Sequence, residues 1–81
     1  MDSAVVINRI KRTADRRHPS NKYKIIEYKN FYSLVVDGYE PSLFEKEDGF
    51  SVRMSYGQLK DSDIANPKIV YESGGQKNGK K

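Results

Sequence analysis

The side chains of this sequence best suited to chemistry are cations. Arg9, Lys11, Arg12, Arg16, Arg17, Lys22 and Lys24 fall within sixteen residues, and Asp15 alone opposes them. Four of the seven are arginines, whose planar guanidinium grips a phosphate or carboxylate through two parallel hydrogen bonds where lysine acts as a point charge. Tyr23, Tyr28 and Tyr32 overlap and follow this run. A charged track beside flat aromatic faces is what a nucleic-acid strand requires, the first for its phosphates and the second for its bases. The expectation is that these ten residues contact nucleic acid, DNA or RNA, or another polyanion, with phosphate contacts leading and tyrosine stacking second. Lys77, Lys80 and Lys81 are further candidates for non-specific phosphate contact.

The same residues admit two other readings. Arginines along a polar helix face are often solvated surface, and tyrosines are common strand residues that a small core must use. No RNP-type aromatic motif, KH Gly-x-x-Gly, zinc-finger spacing or helix-turn-helix signature accompanies the basic run. Arginine and aromatics are also the vocabulary of protein interfaces. The alternative function is therefore a protein-binding adaptor or inhibitor that docks on a larger protein, including one that itself handles nucleic acid. A membrane-surface role is disfavoured because the basic segment lacks an aromatic or Leu-rich apolar face.

Catalytic chemistry has little to work with. His18 is the only histidine and there is no cysteine, so a Ser-His-Asp or Cys-His arrangement has almost nothing to be built from. Asp61 with Asp63, and Glu45 with Glu47 and Asp48, are better suited to loop caps and a solvated hairpin tip than to a cation site, which needs several convergent oxygens. Gly74-Gly75 lacks the lysine and helix of a phosphate loop. The expectation is a non-enzymatic protein with no cofactor or metal.

Charge is distributed unevenly. The formal net charge is +4, made up of +5 over residues 1–24, −4 over 30–63 and +3 over 64–81. Such asymmetry marks one end of the chain as the one to meet an anion and leaves an acidic middle for a basic partner. At 81 residues there is room for one domain, and a chain this short buries only about 60% of its unfolded surface. Without cysteine no disulfide adds to that. No apolar run approaches the ~18 residues of a membrane span, and Asn8 and Arg9 interrupt Val5-Val6-Ile7 before a signal-peptide core forms. The reading is a soluble, cytoplasmic protein, with residues 1–72 as one compact domain and 73–81 as a basic tail.

The elements that must position the cations follow from periodicity. Val6, Ile7, Ile10 and Ala14 recur at helical spacing. Asp2 or Ser3 can cap the start, Arg16 and Arg17 suit the last turn, and Pro19 stops the helix. On a helix over 3–17, Arg9, Arg12 and Arg16 lie together away from the apolar stripe. Beyond it, Lys22–Lys29 alternates with an apolar residue on both sides, and Phe31–Val36 reads as a central strand. Tyr39–Glu47 contains Pro41 and reads as an edge, while Phe50–Tyr56 alternates most cleanly of all. Lys29-Asn30, Asp37-Gly38 and Asp48-Gly49 supply turns, the last two with the signature of a type I′ hairpin. Ile69–Tyr71 adds a last short strand. The expected fold is α+β: a basic helix packed on a small antiparallel β-meander, with Ile25, Phe31, Leu34, Val36, Leu43, Phe44, Phe50, Val52, Met54 and Ile69 as the sheet's core. An all-β small barrel with Ala4–Ile10 as its first strand is the alternative.

Overall fold

The computed structural model describes residues 2–73. The predicted helix is present as α1 (Ser3–Arg17). Asp2 is its N-cap: Ala4 N–H donates to Asp2 Oδ1 at 3.2 Å, satisfying one of the amides that a helix start leaves without a partner. Val6, Ile10 and Ala14 are buried, as the stripe requires. His18 N–H closes the last turn on Ala14 O, and Arg16 and Arg17 stand where the helix dipole favours cations.

Four antiparallel strands follow: β1 (Tyr23–Glu27), β2 (Phe31–Val36), β3 (Ser42–Glu45) and β4 (Lys68–Glu72). The sheet is open, in the order β3-β2-β1-β4, which overturns the barrel alternative. β1 to β3 form the expected meander, and β4 returns over a long connection to pair with β1, which gives the spatial order of a Greek key. Register fixes the faces. Tyr23, Ile25, Tyr32, Leu34, Val36 and Phe44 pack with Val6, Ile10 and Ala14 of α1, so α1 covers one face of the sheet. The alternate residues Lys24, Ser33 and Leu43 stand on the other face. Ser33 and Leu43 are nevertheless buried. There Val52 N–H donates to Leu43 O, and the Tyr28 and Tyr56 hydroxyls approach to 3.4 Å, which ties the 3-10 turn at Tyr56–Gln58 to the sheet.

Two expectations are corrected. Phe50–Tyr56 is not a strand. Its only pairing is one bridge, Ser51 with Phe44, and Phe50, Met54 and, in β4, Ile69 are exposed rather than part of the core. Phe31 and Val52 are half-buried. The volume is filled instead by Tyr23, Tyr28 and Tyr32. The Asp-Gly turns are also not type I′, because only their glycines have positive φ, +87° at Gly38 and +79° at Gly49. Asp48 accepts from Phe50 N–H at 2.9 Å, an Asx-type turn contact, while Gly49 N–H donates to Glu45 O. In the second acidic group, Asp63 Oδ2 accepts from Lys60 N–H.

Ser73, read as the start of the tail, is held by β1: Tyr23 N–H donates to Ser73 Oγ and Ser73 N–H to Tyr23 O, both at 2.8 Å. The remaining tail residues, with Gly74-Gly75, Lys77, Lys80 and Lys81, lie outside the described residues.

Candidate nucleic-acid interface

The structure divides the basic cluster three ways. Arg9, Arg12, Arg16 and Arg17 line one groove between α1 and the segment Gly49–Ser51, together with Thr13 and Phe44. It is an open groove of about 330 Å³. Lys11 leaves on the opposite flank of α1, where its Nζ stands 4.3 Å from the centroid of the Tyr71 ring on β4. Lys22 and Lys24 border a separate depression with Asp37 and Glu72, and Lys24 pairs with Val35 on the sheet face turned away from α1. The seven cations are therefore contiguous in sequence but not in space.

Groove geometry follows from local sequence. Arg9, Arg12 and Arg16 are three and four positions apart, so they stack along one flank of two helical turns. Arg17 closes the row where the helix ends. The facing wall is close because residue 49 is glycine: a Cβ there would stand 3.0 Å from Arg9 Cδ and 3.2 Å from Val6 Cγ1. That close approach lays Phe50 beside the arginines. The Arg9 guanidinium carbon is 5.0 Å from the Phe50 ring centroid, within cation–π range, while the ring is 58% exposed. Arg9 Nε is enclosed and has no hydrogen-bond partner. Thr13 Oγ1 donates back to Arg9 O at 3.1 Å, a common bond for a helical threonine.

Lys46 pairs with Glu27 at 3.1 Å. Among the described residues, none of the four groove arginines forms an ion pair with a carboxylate. Four cations gathered on one concave surface make a local positive potential, which draws anions, and Glu40, which lines the adjoining depression with Arg17, offsets it at that end.

The stacking half of the sequence expectation does not hold. Tyr23, Tyr28 and Tyr32 are buried, Tyr32 to 1% exposure, and offer no face to a base. Tyr23 Oη donates to Asp15 Oδ1 at 3.3 Å, and its phenol is held well above the ordinary tyrosine range, first by burial and then by the Asp15 charge. Burial, with the Tyr56 hydroxyl second, pushes Tyr28 up to about 12. Burial, then the Glu27 charge, raises Tyr32. The physical reason is register: Tyr23 and Tyr32 fall on the α1 face of their strands, where they pack against Val6, Ile10 and Ala14.

Phe50 is the groove residue that sequence reasoning placed wrongly. Alternation through residue 56 assigned it to the core, whereas it lies on the groove's rim. The available signal was Gly49 immediately before it, since a glycine at a hairpin tip marks close backbone approach. Comparison with protein-family models, with curated proteins and with solved structures finds no match to this chain, so the groove stands on its own geometry.

Proposed function

We propose that this chain is a non-enzymatic binding protein that holds nucleic acid or a similar polyanion in the groove between α1 and Gly49–Ser51. The observation that carries the reading is the convergence of Arg9, Arg12, Arg16 and Arg17 on one concave surface, none with a carboxylate partner among the described residues. Guanidinium groups in such a row suit successive phosphates, each contact releasing condensed counterions. Lys11, Lys22 and Lys24 are peripheral in this reading, and Tyr23, Tyr28 and Tyr32 serve the fold.

An exposed phenylalanine amid arginines also suits a protein hot spot, which keeps docking on an acidic protein surface as the second reading. Salt dependence separates the two. Fluorescence anisotropy of labelled single- and double-stranded oligonucleotides, at about 50 mM and about 200 mM salt, should show affinity falling steeply as salt rises. Charge reversal in the double variant Arg12→Glu/Arg16→Glu should weaken binding to every sequence and flatten that slope. Unchanged affinity in a folded double variant removes the groove as the anion site, and no binding even at low salt favours the acidic protein partner.

A further inference from the structure

We infer that the groove takes one strand of nucleic acid, with a base stacked on Phe50 and its flanking phosphates on Arg12 and Arg16. This rests on the anion-binding reading above and narrows it from polyanions to unpaired strands.

Three observations converge. The first is the Phe50 ring. It is large, apolar and 58% exposed, and the Arg9 guanidinium, 5.0 Å from its centroid, backs it. Arg9 is in turn confined by the close approach of Gly49. A ring held from behind by a cation leaves its remaining surface to the ligand, and stacking on an aromatic ring is how proteins hold unpaired bases of any sequence. In a duplex both faces of every internal base are already stacked, so the same ring has little to receive.

The second is spacing. From Arg9 to Arg16 the helix rises about 10 Å, a length that spans only a few nucleotides of one strand. The groove is flanked by α1 on one side and by Gly49–Ser51 on the other, and about 330 Å³ falls at the lower end of sites that hold a small-molecule-sized group. That accommodates a nucleotide, not a duplex, whose major groove alone is ~12 Å wide.

The third is what the exposed ridge of α1 carries. A helix that reads a duplex inserts its outward ridge into the major groove. Here that ridge carries Asn8 and, at its margins, Arg12, whose side chain lines the groove, and Asp15, whose carboxylate accepts from Tyr23 Oη, so it presents no row of cations to a duplex's phosphates. Arg9, Arg12 and Arg16 lie along one flank instead, lining the groove with Phe50.

The test uses the full chain. The sequence has no tryptophan, so Phe50→Trp installs a single reporter at the stacking position. The probes are a labelled oligothymidylate of about twelve nucleotides, in the range that single-strand binders occupy, and a duplex of equal length. Tryptophan emission should be quenched on titration with the single strand and change little with the duplex. Phe50→Ala should lower single-strand affinity by about tenfold, the size expected for losing one stacked base, and leave duplex affinity within about twofold. Circular dichroism confirms that each variant is folded, which the exposure of Phe50 favours. Single-strand binding with unquenched emission and no loss in Phe50→Ala overturns the stacking inference while the arginine groove stands. Absence of binding by either nucleic acid at low salt overturns the inference together with the reading beneath it.

Discussion

Arg9 and Gly49 are locked together: a single added carbon at residue 49 would stand 3.0 Å from Arg9 Cδ. The hairpin tip after β3 is thereby seated against α1, and the wall of the basic groove is set by the absence of a side chain. The contrast with Gly38 makes this testable. Both glycines have positive φ, but a Cβ at Gly38 meets nothing within 4 Å. Gly38→Ala should cost about 1 kcal/mol, the penalty of a left-handed backbone alone. Gly49→Ala should add an overpacking penalty of about 1–3 kcal/mol and weaken anion binding as well. Urea denaturation of the two variants side by side reads the difference, and equal losses would show that α1 moves freely away from the tip.

Lys22 and Lys24 provide the control for the groove. They line a separate depression on the side of the sheet away from α1. At physiological salt, charges more than about 8 Å apart through solvent are largely screened. The double variant Lys22→Glu/Lys24→Glu should therefore bind oligonucleotide nearly as the parent does, in contrast to Arg12→Glu/Arg16→Glu. An equal loss measured by anisotropy would mean that the anion-binding surface continues around the sheet.

Ser33 is wholly enclosed, and its hydroxyl has no hydrogen-bond partner. Leaving a buried polar group unsatisfied costs roughly 1–3 kcal/mol. Ser33→Ala removes that group with little change in volume, so the variant should be as stable as the parent or more so, by up to about 1 kcal/mol. A clear fall in thermal midpoint would show that the hydroxyl is satisfied in solution.

Core truncation should separate the helix stripe from the edge strand. Ile10 is fully buried under the sheet, whereas Ile69 is half exposed. Ile10→Ala should cost about 2–5 kcal/mol, a large part of what a small domain has. Ile69→Ala should cost about 0.5 kcal/mol or a little more. Comparable losses would place Ile69 in a core contact that its exposure does not reveal.

Alkaline stability follows from the buried phenols. Tyr23, Tyr28 and Tyr32 all ionise later in the fold than in the open chain, where the ordinary value is 10.0. The folded state thus binds more protons than the unfolded one above pH 10, and linkage makes stability fall there as pH rises. The contribution is complete below about pH 10 and is lost as pH rises through about 12, the value for Tyr28. Phenolate absorbance should show these tyrosines ionising together with unfolding. Early, non-cooperative ionisation of all six tyrosines without loss of circular dichroism would contradict their burial.

Much of the fold was legible. The helix carried its own punctuation in Asp2, the Val6-Ile10-Ala14 stripe and Pro19, all of which are local signals. The strands from Tyr23 to Val36 were legible as strands, but their buried face was not, because both sides of Lys22–Lys29 hold apolar residues. That ambiguity is why Tyr23 and Tyr32 were assigned to a ligand rather than to the core. Phe50–Tyr56 failed for a different reason. Alternation describes a face, but a strand also needs an edge to pair with, and β3 offers this segment one bridge. The arginine row was legible from helical spacing, whereas its opposite wall depended on a contact between residues forty positions apart.

The return of β4 to β1 also sets an order of events. Ile25 pairs with Leu34 nine positions on and with Tyr71 forty-six positions on. Local hairpins close quickly, while a distant pairing must first meet the entropy of a long loop. During synthesis β1 to β3 leave the ribosome well before β4 does. Until β4 docks, β1, the strand destined for the sheet interior, is an open edge with free amides and carbonyls, the form in which nascent β-proteins pair with one another. High expression rates should therefore drive this chain to aggregates through the exposed side of β1, an edge that β4 covers in the finished sheet.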